Sequence, residues 1–204
     1  MNDKPFAPAT ERNSQPILEV IRHEFHGCES ILEIGSGTGQ HAVCFGAALG
    51  SLMWQTSDVE ENHAGICAWL AEADLPNIRA PLRLDVLTND MPSGTYDGVY
   101  SANTAHIMSF AAVQKMFSLV AAVLPKGGAF VLYGPFRQGG VFNTPSNAEF
   151  HQSLRERDPE MGIRHLEDLD RLAADLSMHR VRLYAMPANN HIAVWMKSSA
   201  GDGK

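Results

Sequence analysis

Apolar positions along the chain recur in two periods, one of about two residues and one of about 3.6, and stretches of the two kinds take turns. After a loose N-terminus, Pro16 suits the first turn of a helix that buries Ile17, Leu18, Ile21 and Phe25. A short apolar run at residues 31–34 stops at a glycine loop, and helical spacing resumes through Val43 and Leu49. A second strand at 52–56 runs into Ser57-Asp58. The next helix carries Ile66, Trp69, Leu70 and Ala73 on one face and ends at Leu75-Pro76-Asn77. Residues 78–84 read as a strand ending at Asp85, and residues 96–101 as another ending near Asn103. Val113, Met116, Phe117, Val120 and Leu124 mark an amphipathic helix. A Pro125-Lys126-Gly127-Gly128 turn then leads to residues 129–133, a nearly all-apolar strand suited to the middle of a parallel sheet.

The last third departs from this alternation. Residues 134–162 form a long excursion with a short helix, whose Ser146 and Glu149 are spaced as a capping box. Another helix carries Leu166, Leu169, Leu172, Ala173 and Leu176. Two strands follow, at 180–186 and 191–197, joined by Pro187-Ala188-Asn189-Asn190, in which Asn189 and Asn190 suit a turn with positive φ or turn their amides toward a pocket. So short a connection implies a hairpin, and the whole order predicts a doubly wound α/β sheet that ends antiparallel.

Composition narrows the class. A chain of 204 residues, 45% hydrophobic, suits one domain with a proper core, and no apolar run reaches the ~20 residues that span a bilayer. Net charge is −7 without a Lys/Arg block, which argues against nucleic acid as a partner. Residues 1–13 lack a hydrophobic signal core, so a cytoplasmic protein is expected. Cys28, Cys44 and Cys67 are odd in number and lack CxxC spacing; they read as reduced thiols serving as small, at least half-buried hydrophobes. No repeat or low-complexity stretch occurs apart from a tail at 198–204, expected to be flexible.

The candidate chemistry lies in the loop ILEIGSGTGQH, residues 31–41. In an open α/β sheet, ligands bind beyond the carboxyl ends of the strands. The dinucleotide fingerprint G-x-G-x-x-G, started at Gly35, would need a glycine where Gln40 stands. The pattern is instead Glu33-x-Gly35-x-Gly37-x-Gly39. A carboxylate here would repel a pyrophosphate but suits a ligand that carries positive charge and no phosphate, as S-adenosylmethionine does. A structural turn without a ligand is the plain alternative.

E-x-G-x-G-x-G after the first strand resembles the cofactor motif of class I S-adenosylmethionine-dependent methyltransferases, as do the Leu124-Pro125-Lys126-Gly127-Gly128 turn and the final hairpin. Across nearly the whole chain the sequence also resembles the small methyltransferase-like family called domain of unknown function 938. Glu11-Arg12-Asn13, SGTGQHA, Tyr133-Gly134-Pro135-Phe136, TPSNAEF, SLRERDPEMGIR and PANN carry that likeness. Gly35 departs from it, alanine being common there in that family. The resemblance implies a Rossmann-like fold in a single domain, with a seven-stranded, mostly parallel sheet and helices on both faces. It also implies a lid at residues 1–13 and an insertion at 135–162 covering the site.

Roles follow from the same resemblance. Gly35, Ser36, Gly37, Thr38 and Gly39 would border the methionine part of the cofactor, with Glu33 toward its ammonium group, directly or through water or backbone. His41, next after the loop, would cap or touch it. Asp58, with Ser57 beside it, would accept the ribose hydroxyls, or else cap the following helix. Asp85 would meet the adenine amino group, or be a surface aspartate, and Val86 would pack on the ring. Asn103 would lie under the cofactor. For catalysis, His106 is the best-placed general base, though it would serve equally to shape the pocket; Tyr133 would orient the acceptor or simply pack. Arg12, Asn13, Phe136, Asn147 and Phe150 would contact the acceptor, with helix capping by Asn13 and core packing by Phe150 as alternatives. No N-P-P-Y, D-P-P-Y or Pro-Cys pair is present, and no metal-ligand cluster. A small-molecule methyl acceptor is therefore expected, ahead of a cofactor-binding protein without turnover and of an NAD(P)-dependent oxidoreductase.

Overall fold

Residues 4–88 and 92–198 are described by a computed structural model. Helix α1 (Pro8–Glu24) leads to strand β1 (Ser30–Ile34), α2 (Gln40–Ala48), β2 (Met53–Asp58), α3 (Glu60–Ala73) and β3 (Ile78–Arg83). Then follow β4 (Gly98–Ala102), α4 (Phe110–Val123) and β5 (Ala129–Gly134). The excursion holds two-residue strands β6 (Phe136–Arg137) and β7 (Arg164–His165), paired in parallel, on either side of α5 (Pro145–Arg157). Helix α6 (Leu166–Asp175) and strands β8 (Met178–Met186) and β9 (Asn190–Lys197) complete the chain.

The main sheet has seven strands in the order β3-β2-β1-β4-β5-β9-β8. β1 to β5 run parallel, while β9 is antiparallel to both β5 and β8. The order reverses between β1 and β4, so the crevice that binds ligands in such sheets opens at their carboxyl ends. Strand residues alternate between two cores, because successive side chains point to opposite faces. Leu32, Val99, Phe130 and Leu132 pack with α4 and α6. Ile31, Tyr100, Val131 and Tyr133 pack with α1 and α2. Helices therefore cover both faces, as a Rossmann-like methyltransferase fold requires.

Four local expectations change. Pro16 lies inside α1, which starts at Pro8, so Asn13 is a buried mid-helix residue and not a cap. Burial of Ile17, Leu18 and Ile21 against the sheet outweighs the one backbone hydrogen bond that a proline removes. In α5 the cap is Thr144, whose Oγ1 accepts from Asn147 N at 3.3 Å, and Ser146 falls within the helix. Pro145 fits the first helical turn, which makes its predecessor the cap. At the β8–β9 turn it is Ala188 and Asn189 that have positive φ, not Asn190. Cys67 is exposed, whereas Cys28 and Cys44 are half-buried. Tail residues 199–204 lie outside the described residues.

Candidate cofactor and acceptor site

The glycine loop is built on a buried polar lattice. Gly35 N and Ser36 N donate to Ser57 O at 3.0 and 2.9 Å, which ties the end of β1 to the end of β2. Ser57 Oγ donates to Glu33 O at 2.6 Å, and Ser57 N donates to Ser36 Oγ at 3.1 Å. Ser36 Oγ in turn donates to Glu33 Oε2 at 2.9 Å, and Trp54 Nε1 donates to the same oxygen at 3.0 Å. Glu33 is 1% exposed, and burial pushes its carboxyl up to about 7 against the opposing pull of these two donors. Gly35, Gly37 and Gly39 have φ of +74°, +60° and +90°, values that L side chains rarely adopt. A Cβ on Gly39 would come within 3.1 Å of Ile66 Cα, so this glycine seats α2 against α3.

Above the lattice, a cavity of about 660 Å³ opens at the carboxyl ends of β1, β2 and β4. Gly35, Ser36, Gly37, Thr38, His41, Asp58, Asp85, Val86 and Asn103, all among the residues expected around the cofactor, line it. Glu33, Gly39 and Ser57 do not: the Glu33 and Ser57 side chains turn under the loop and bond to it there, and Gly39 packs against α3. Asp58 serves the start of the following helix, as one of its two expected roles had it, and also anchors the glycine loop, a role not foreseen. Its Oδ2 accepts from Gly37 N at 2.6 Å, while Oδ1 accepts from Val59 N and Asn62 Nδ2, both at 2.8 Å, at the start of α3. Asp85 Oδ1 accepts from Leu87 N at 2.9 Å, which shapes the turn after β3. Asn103 takes a φ of +57°, and its N donates to Tyr133 O at 2.9 Å.

Unforeseen contributors are Asn62, Ile107 and Met108, and two acids of the excursion, Asp158 and Glu160. The lining thus carries four carboxylates and, among the described residues, no Lys or Arg. His41 adds no charge, because burial lowers its imidazole to about 4. Its Nε2 donates to Asn13 Oδ1 at 2.8 Å, and Tyr100 OH lies 3.4 Å from its Nδ1. Gln40, which stands where a dinucleotide loop needs glycine, accepts from Ala7 N at 2.6 Å and from Thr38 Oγ1 at 3.0 Å. It clamps the segment preceding α1 onto the loop. The absent glycine was itself the signal for this residue, although only the fold supplies its partner.

A second cavity, about 780 Å³, adjoins the first at Asn103. Arg12, Asn13, His106, Tyr133, Asn147 and Phe150 line it. Phe136 does not: it is 2% exposed within the core on the α4 and α6 side, because β6 pairs with β7 and turns it inward. His106 is buried and stands edge-on to Phe150 at 5.4 Å. Its imidazole is lowered to about 4, first by burial and then by Arg164 and Arg157. Gly162 N donates to His106 O at 2.9 Å, and Arg164 Nε to Ala105 O at 2.9 Å, so the end of the excursion is latched to the segment carrying His106. Tyr133 is hydrogen-bonded to Asn13 and Asn190, and burial raises its phenol. Among the described residues, no helix is long and apolar enough to cross a membrane, and no cluster of His, Cys, Asp or Glu could hold a metal ion.

Solved structures share this architecture at low identity. An O-methyltransferase family protein from Burkholderia thailandensis superposes with a TM-score of 0.82 at 14% identity, over 94% of this chain and 58% of its own. Human N-acetylserotonin methyltransferase in complex with SAM gives 0.80 at 11%, over 94% and 53%. PigF with SAH gives 0.79 at 15%, over 92% and 56%. The chain therefore spans less than two thirds of the length of these proteins, and the likeness establishes the fold. The sequence model of the family described as "Protein of unknown function (DUF938)" matches residues 4–197. With a methyltransferase fold and a match over almost its whole length, the chain belongs to the DUF938 family.

Proposed function

We propose that the protein binds S-adenosylmethionine in the first cavity and transfers its methyl group to a small-molecule acceptor in the second. The observation that carries this reading is the charge of the first cavity. Four carboxylates without a Lys or Arg would repel a pyrophosphate, which disfavours NAD and NADP, and they suit a cationic ligand. When bound, the cofactor supplies a sulfonium methyl: a bond from the acceptor's lone pair to the methyl carbon forms as the carbon–sulfur bond breaks, leaving S-adenosylhomocysteine and one proton.

Asp58 would hold the ribose with the acceptor capacity left on its carboxylate, and Asp85 and Val86 would meet the adenine. Burial lowers the His106 imidazole to about 4, so its ring is free to receive the acceptor's proton but is a weaker base than an ordinary histidine. Tyr133, its phenol held by two amides, would orient the acceptor. Positioning supplies most of the acceleration in an in-line displacement of this kind.

Thermal unfolding tests the reading. S-adenosylhomocysteine at about 100 times its Kd should stabilise the protein by about 2.7 kcal/mol, roughly 5–10 °C, while NAD and NADP should give no shift. Asp58→Ala should weaken that binding at least about tenfold, since a charge-assisted bond and the Gly37 anchor are both lost. A shift with NADP alone would overturn the proposal, and radiolabelled methyl transfer in an acceptor screen would separate turnover from binding.

A further inference from the structure

The two adjoining cavities differ in the sign of their charge. Among the described residues, the second is lined by one guanidinium, that of Arg12, and by no carboxylate, in a chain whose net charge is −7. Arg12 is exposed at the cavity and has no ion pair or hydrogen bond among the described residues, although Glu11 is its neighbour in sequence. Most of the other polar groups there are donors or amides. Tyr133 is bonded to Asn190 and to Asn13, whose Oδ1 is occupied by His41 and whose NH₂ therefore serves as the donor to the phenol. Helix α5 presents its N-terminal turn at Ser146, the end of a helix that favours negative charge. Arg157 and Arg164 add positive potential at His106.

We infer that the acceptor is an organic anion: a small, flat molecule whose carboxylate pairs with Arg12 while its body lies on the Phe150–His106 wall and its nucleophilic atom faces Asn103. The guanidinium fork matches a carboxylate with two parallel hydrogen bonds, and an unpaired arginine is available to make them. The edge-to-face pair of His106 and Phe150 offers an apolar surface for a planar ring. Neutral His106 adds no competing charge to the anion and remains able to accept a proton. An amine acceptor that is cationic would meet Arg12 without a counter-charge and would be excluded. The inference deepens the proposed transfer and rests on it for the direction in which the nucleophile faces.

Three probes with one ring and one phenol isolate charge: 4-hydroxybenzoate, 4-hydroxybenzamide and tyramine. Each is titrated by ligand-observed NMR into the full chain, with and without S-adenosylhomocysteine. The expected order is benzoate, amide, amine, with at least about tenfold between the first two, as an ion pair with two hydrogen bonds in a partly shielded cavity would give. Arg12→Gln should abolish that gap and Arg12→Lys should keep part of it, with S-adenosylhomocysteine affinity unchanged in both. Equal binding of the three probes, no binding at millimolar concentration, or a preference that survives Arg12→Gln would overturn the inference. So would a loss of S-adenosylhomocysteine affinity in Arg12→Gln, which would place Arg12 in the cofactor site. A failure of S-adenosylhomocysteine to bind the unaltered protein would instead sink the cofactor reading, and the ranking of probes is still read without it.

Discussion

Glu33→Gln separates a strut from a ligand contact. The Glu33 carboxyl is enclosed by Trp54 and Ser36, and burial lifts it from an ordinary 4.5 to about 7, with Asp58 adding a small push in the same direction. A carboxyl raised in this way favours the folded state below pH 4.5, and that contribution is lost as the pH rises through about 7. The gap of 2.5 pH units, from 4.5 to about 7, corresponds to about 3 kcal/mol at about 1.36 kcal/mol per unit. A glutamine keeps an oxygen for the indole and the hydroxyl but never ionises. Urea unfolding of both proteins should therefore show the variant gaining about 3 kcal/mol relative to the parent between about pH 4.5 and pH 8, equivalent to roughly 6–12 °C in melting temperature. Because Glu33 does not line the cavity, S-adenosylhomocysteine affinity should stay within about threefold. A stability difference that does not move with pH would refute the burial argument, and a tenfold loss of affinity would return Glu33 to the cofactor.

Two further outcomes follow from the same geometry. Gly39→Ala should destabilise the fold by about 1–3 kcal/mol, read by urea midpoint, since it combines a φ of +90° with backbone of α3 at 3.1 Å. An unchanged midpoint would mean that α2 and α3 are free to part. If His106 is the proton acceptor, its lowering to about 4 means that it stays deprotonated down to that pH, so its protonation limb in kcat/KM should lie near pH 4 and not near 6.5. His106→Ala should abolish that limb while leaving S-adenosylhomocysteine binding unchanged.

The architecture was legible because its signals are periodic and local. Residues 129–133 form an unbroken apolar run and do become an interior strand, β5, with both faces buried, although it closes the parallel part of the sheet, between parallel β4 and antiparallel β9, and does not stand in its middle. In the glycine loop Gln40 did set the pattern apart from a dinucleotide loop, whereas Glu33, read as facing the ligand, is buried beneath the loop. What escaped was whatever depends on direction. Glu33, Ser57 and Asp58 are near neighbours at strand ends, yet only Asp58 reaches the cavity, and the other two turn beneath the loop. Phe136 and Phe150 look alike as aromatic candidates in the excursion, but the β6–β7 pairing buries the first and leaves the second on the cavity wall. Asp158 and Glu160 lie about a hundred residues from the loop they complete, and no period links them to it.

That last pair changes how the site is understood. Taken alone, the loop region contributes Asp58 and Asp85 to the cavity, and a ribose and an adenine amino group would account for both. Asp158 and Glu160 add two further carboxylates to the same lining from the excursion, beyond those a ribose and an adenine would use. Arg12, from the other end of the chain, stands in the neighbouring cavity, whose described lining holds no carboxylate. The proposed pairing of a cationic cofactor with an anionic acceptor would account for both, since the carboxylates line one cavity, Arg12 lines the other, and the two meet at Asn103.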